Sequence, residues 1–99
     1  MSKKNEVGKV RKMDIFNDQW THVSDDVEIK GAQGILVVNA SPYEVNGVLG
    51  KPADNFPVNA STIKIGAGIS IDLEIGENVE LYLRGVSPSS QSVYVQEYK

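Results

Sequence analysis

His22 is the only histidine in the chain, and there is no cysteine. One chain therefore carries neither a two-histidine nor a thiolate metal site, no disulfide framework and no thiol nucleophile. Lying beside Trp20, His22 reads as a surface or interface side chain. Asp25 with Asp26, and separately Asp72, Glu74 and Glu77, cluster carboxylates of the kind that bind calcium, but neither group has the spacing of a calcium loop. Glycoside hydrolysis needs two carboxylates facing across a cleft. With thirteen acids in the chain, some pair meets any chosen separation, so a pair selects nothing. Gly66-Ala67-Gly68 lies between two strand patterns and not before a helix, which excludes a phosphate-binding loop. Ser87, Ser89, Ser90 and Ser92 have no histidine near in sequence to activate them. Asn39-Ala40-Ser41 and Asn59-Ala60-Ser61 match the glycosylation sequon by chance. The expectation is a protein that is not an enzyme, with no cofactor and no metal.

Charge and aromatic placement say more about binding. Lys3, Lys4, Lys9, Arg11 and Lys12 are half of the ten basic residues, and within residues 1–12 they face only Glu6. A basic arm on an acidic body suits an acidic partner surface. Five cations without interleaved aromatics fall short of a nucleic-acid footprint. Tyr82, Arg84, Tyr94 and Tyr98 occupy the polar phase of their strands, opposite Leu81, Leu83, Val93 and Val95. Taken as one sheet face, they suit protein binding, since Tyr and Arg are enriched there. Equally, they could cap a second layer of the same domain under the 42–60 stretch.

The elements that must position these groups follow from a period of two. Ile63, Ile65, Ile69, Ile71, Leu73, Ile75, Val79, Leu81, Leu83, Val93 and Val95 alternate with mostly polar residues, so one face of each strand meets a core. Turn residues at 66–68, 76–78 and 87–90 suggest a regular meander of four strands. Earlier, Val10–Phe16 suits a short strand or an extended arm, and Trp20–Val23 and Val27–Lys30 suit strands around a Ser24-Asp25-Asp26 turn. Gly31–Gly34 reads as a hairpin connection. Ile35–Val38, the only continuous apolar run, suits a strand covered on both faces. Residues 42–60 hold three of the four prolines and read mostly as loop, with Tyr43–Val45 an edge strand. The expected fold is all-β: a small antiparallel sandwich or barrel, jelly-roll-like. A flexible basic arm (1–12) would precede a single domain (13–99). No apolar run is long enough to span a membrane, and the start leads into no apolar signal core. The expectation is a chain made in the cytosol and not exported by a classical signal.

Trp20-Thr21, Ile35–Asn39, a Pro-rich loop, Ile63–Ile71, Val79–Gly85 with its Leu-Tyr-Leu-Arg, and Val93–Gln96 together resemble the small β-domain proteins of tailed-bacteriophage virions. The resemblance covers residues 20–97. It implies a structural role in the virion, decorating or cementing the capsid or serving in the head or tail, with the major capsid protein or another virion protein as partner. No catalytic residues carry over. A small β chain with edges to cover is expected to self-associate as a trimer or dimer. The alternative is a carbohydrate- or host-surface-binding module of a tail or fibre.

Overall fold

The computed structural model describes residues 7–24, 33–50, 56, 61–75 and 79–99. Among these the alternating sequence forms eight strands and no helix: β1 (Arg11–Ile15), β2 (Thr21–His22), β3 (Gly34–Asn39), β4 (Val45–Gly50), β5 (Ile63–Ile65), β6 (Ser70–Glu74), β7 (Glu80–Gly85) and β8 (Gln91–Tyr98). They make two antiparallel sheets, ordered β1-β8-β3-β6 and β2-β7-β4-β5. The fold is a β-sandwich. Ile15, Ile35, Val37, Val93 and Val95 of the first sheet form a buried core with Val45, Ile65, Leu81 and Leu83 of the second, and Val23 and Ile75 complete it. Burying each such side chain contributes roughly 1.5–3 kcal/mol.

Several expectations change. The four C-terminal strands are not a meander: β5 and β7 belong to the second sheet, β6 and β8 to the first. A period of two reports which face of a strand is wet, not which sheet the strand joins. The edge strand expected at Tyr43–Val45 is instead β4, which starts at Val45 and lies inside its sheet between β7 and β5. Pro42 precedes this strand, so residues 45–50 of the 42–60 stretch are strand and not loop, while 51–55 and 57–60 lie outside the described residues. Ile69 keeps the core phase but is 52% exposed. It closes the turn before β6, with its N–H on Gly66 O at 3.1 Å and Gly68 at a φ of 73° that suits glycine. Ile35–Val38 is an interior strand, yet Leu36 and Val38 on its outer face are only half-buried.

Sheet pairing also begins inside the segment expected to be an arm. Arg11 and Lys12 are the first residues of β1, paired with Val95 and Tyr94. Val7 bridges Tyr98 and Gly8 N–H donates to Glu97 O at 2.8 Å. Between these pairings three residues, 8–10, oppose two on β8, which is a β-bulge. The boundary at residue 12 is corrected accordingly. Residues 1–6, with Lys3 and Lys4, lie outside the described residues, as do the strand expected at Val27–Lys30, Gly31 and the 76–78 turn.

Candidate functional site: one end of the sandwich

The registers bring the ends of β1, β3, β5 and β7 and the starts of β4, β6 and β8 to the same pole. Ile15 pairs with Gln91, Asn39 with Val93, Val45 with both Gly85 and Ile65, and Val38 with Ser70. The loops 16–20, 40–44, 66–69 and 86–90 therefore share one end of the molecule. Two buried amides fasten them. Asn39 is fully buried. Its Nδ2 donates to Tyr43 O (2.7 Å), Ile65 O (2.9 Å) and Gly66 O (3.1 Å), and its Oδ1 accepts from Ser41 N (3.0 Å) and Ser41 Oγ (2.7 Å). Gln91 Oε1 accepts from Val86 N (2.6 Å) and Ser87 N (2.9 Å), while its Nε2 donates to Ser41 Oγ (2.9 Å), Glu44 O (3.0 Å) and Tyr43 O (3.3 Å). Gly85 makes room for this: a Cβ there would stand 2.6 Å from Gln91 Oε1.

These bonds run unbroken across the end. Gly85 N–H donates to Phe16 O at 2.8 Å, Gln91 joins Val86 to Tyr43, Asn39 joins Tyr43 to Gly66, and Asn39 N–H donates to Ile69 O at 2.9 Å. Arg84 Nη1 adds Asn17 O at 3.1 Å. The loops so held display apolar side chains outward: Phe16 (41% exposed), Val86 (42%), Tyr43 (54%) and Ile69 (52%). Loops are where binding residues usually sit when a rigid scaffold positions them. Exposed apolar groups on loops tied down by hydrogen bonds can bind another macromolecule with less entropy loss than flexible loops would incur.

The residues singled out in the sequence do not converge there. Tyr82 and Arg84 lie on the outer face of the second sheet, Tyr94 and Tyr98 on the outer face of the first, so the single tyrosine face is corrected to two faces on opposite sides of the molecule. Tyr82 packs within its own chain, its ring 5.3 Å from Phe56 and 5.1 Å from His22, and Phe56 also meets Trp20 edge-on at 6.3 Å. Phe56 belongs to the 42–60 stretch, as the capping alternative required. Arg84 lies 5.6 Å over the Trp20 ring, within cation–π range. His22 Nε2 stands 3.0 Å from Glu80 Oε2, a close contact without hydrogen-bond alignment. Arg11 turns inward, donating through Nη2 to Glu97 Oε1 and to Val23 O, both at 2.7 Å. Lys9 and Lys12 are exposed, as are Asp72 and Glu74, and Asp25, Asp26 and Glu77 lie outside the described residues. No cluster of three metal-type ligands occurs among the described residues.

Tyr98 donates its phenol O–H to Asp72 Oδ1, across Gly34, where any Cβ would run into the ring. This bond, some desolvation and the nearby charges of Asp72 and Glu74 raise the phenol above its ordinary 10.0. The fold thus favours the neutral form. The stability this contact contributes is fully present below pH 10.0 and is lost as pH rises through the higher folded value. Ultraviolet titration should show one late-ionising tyrosine that disappears in Tyr98→Phe, and an unchanged titration curve in that variant would refute the assignment.

In the sequence Asn39 stands out only as part of a chance sequon and Gln91 not at all, although each carries a signal. Asn39 continues the buried phase of Ile35 and Val37, and Gln91 opens that of Val93 and Val95. A polar residue on the core phase at a strand end has to find its partners in the adjoining loops. No protein-family model matches the chain, and neither does any curated protein.

Proposed function

We propose that this protein is a non-enzymatic structural component of a tailed-phage virion that decorates the outer surface of the head, docking through the end where Phe16, Val86 and Tyr43 are displayed. The observation that carries the reading is the rigid apolar loop end built on Asn39 and Gln91. Decoration asks for a small stable body with one preformed contact surface, repeated at equivalent lattice sites, and no chemistry. The sequence resemblance to small phage β domains supports the same class. The division of the tyrosines between two faces weighs against the alternative, a carbohydrate platform built from the tyrosines and the 42–60 stretch. The aromatic rings on and beside the second sheet meet at 70° (Trp20 with Phe56), 59° (Phe56 with Tyr82) and 31° (His22 with Tyr82), packing on one another within the chain.

The test is co-sedimentation of the purified protein with phage heads from a genome that carries this gene. Tyr43→Ser with Val86→Ser should weaken binding by about 10–100-fold, as expected for loss of two interface anchors. Their exposed positions should keep the thermal midpoint within a few degrees. Binding to a glycan array with no affinity for heads would favour the alternative. Head binding that ignores both substitutions would move the contact elsewhere.

A further inference from the structure

We propose that copies of this chain join head to tail by sheet addition, β1 of one copy pairing antiparallel with β6 of the next. The inference does not depend on the decoration reading. Among the described residues β1 and β6 are the two edges of the first sheet. Every neighbouring pair in that sheet is antiparallel, so with four strands the two edges run in opposite directions. A second copy moved sideways without being turned over therefore offers its β1 antiparallel to β6, and the sheet continues across the junction.

The hydrogen-bonding phase fixes which groups are available. Asn39 N–H on Ile69 O and Ile75 N–H on Gln33 O direct the main chain of Ile71 and Leu73 toward β3, leaving that of Ser70, Asp72 and Glu74 pointing outward. Gly8 N–H on Glu97 O and Ala40 N–H on Ser92 O direct Val93 and Val95 toward β1, leaving Lys12 and Asp14 with outward main-chain groups. One register matches the charges, with Lys12 opposite Asp72 and Asp14 opposite Ser70. Sliding by two residues to set Lys12 against Glu74 places Asp14 against Asp72, which repels. The same register sets Met13 against Ile71 and Ile15 against Ile69 on the inner phase. Met13 and Ile71 are half-buried in the single chain, and Ile69 is 52% exposed. A second copy would cover Met13, Ile71 and Ile69, Ile15 being buried already, which accounts for an isoleucine left in water beside an edge strand. Pairing of two β6 edges would bring acids together. Pairing of two β1 edges would match Lys12 with Asp14 but leave Ile69 and Ile71 uncovered, so β1 with β6 is the pairing that satisfies both charge and apolar surface. A heterologous contact of this kind closes into a ring or grows into a filament, depending on the rotation between copies.

Sedimentation velocity on the full chain tests the proposal. The protein should form concentration-dependent multimers. Lys12→Glu should raise the dissociation constant about tenfold or more, as for close charge pairs at interfaces, and Asp72→Lys should do the same. The double exchange, Lys12→Glu with Asp72→Lys, should recover assembly, which loss of the Tyr98 contact alone would not allow. Ser70→Pro removes an outward donor without touching the β3 ladder. It should leave the β-sheet circular dichroism intact and abolish multimers. A chain that stays monomeric at the highest attainable concentration overturns the proposal, as do multimers indifferent to Lys12→Glu and Ser70→Pro. Single exchanges that dissociate the multimer without rescue by the double overturn the Lys12–Asp72 register. Tyr43→Ser with Val86→Ser should leave multimers unchanged, which separates this result from that of the head-binding assay.

Discussion

Asn39→Ala should destabilise the protein by about 3–5 kcal/mol. The substitution deletes five hydrogen bonds inside the fold. A neutral bond contributes a net 0.5–1.5 kcal/mol or so, and a buried group left without a partner costs about 1–3 kcal/mol more. Tyr43 O keeps a bond from Gln91 and one from Ser41 Oγ, so the loss falls mainly on Ile65 O, Gly66 O and Ser41. In a domain of this size the thermal midpoint should fall by roughly 12–40 °C. Asn39→Asp is expected to be no milder, since a carboxylate would face three carbonyl oxygens in a site without solvent. Denaturant unfolding with an unchanged slope measures the effect directly. A loss below about 1 kcal/mol would mean that the loop end rests on something other than these amides.

Arg11→Ala should cost about 3 kcal/mol. Glu97 is 4% exposed in its side chain and Arg11 26%, so the carboxylate stays buried when its cation is removed. Breaking such a pair from one side costs about 3–5 kcal/mol, and the partial exposure of Arg11 argues for the lower end of that range. The guanidinium also joins the sheets, because it reaches Val23 O beyond the end of β2 as well as Glu97 on β8. Arg11→Met with Glu97→Leu should recover most of the loss, since apolar replacement of a buried pair is often neutral or stabilising. Chemical denaturation of the single and double variants decides between this and a purely electrostatic clamp, for which the double would be no better than the single. Deleting residues 2–12 should therefore unfold or strongly weaken the domain. Deleting only residues 2–6 removes none of the contacts described here.

The core was readable because period-two patterning is a property of each strand alone: Leu81, Leu83, Val93 and Val95 are buried as their alternation requires. Sheet membership was not readable, since it depends on connections that cross the core, and β5 through β8 look alike whichever side they take. The polar residues that matter most interrupt the apolar phase without breaking it. Asn39, Gln91, Arg11 and Glu97 all sit on inward positions at strand ends, and all make their bonds to loops or to another strand. Cations and tyrosines stand out in the sequence because each resembles a binding group by itself. Their grouping depended on a tertiary arrangement that a linear pattern does not contain.

The placement of β8 constrains when the protein can fold. This strand lies between β1 and β3 and is the sole described neighbour of β1 in the sheet. While the chain is being made, β1 waits with its hydrogen-bonding groups unmatched until residues 91–98 have left the ribosome. Nascent chains thus stay incomplete at least until β8 has emerged, and completing the first sheet has to join segments more than seventy residues apart. During that interval Lys9, Arg11 and Lys12 keep the first segment charged, which protects unpaired strand edges from sticking to one another.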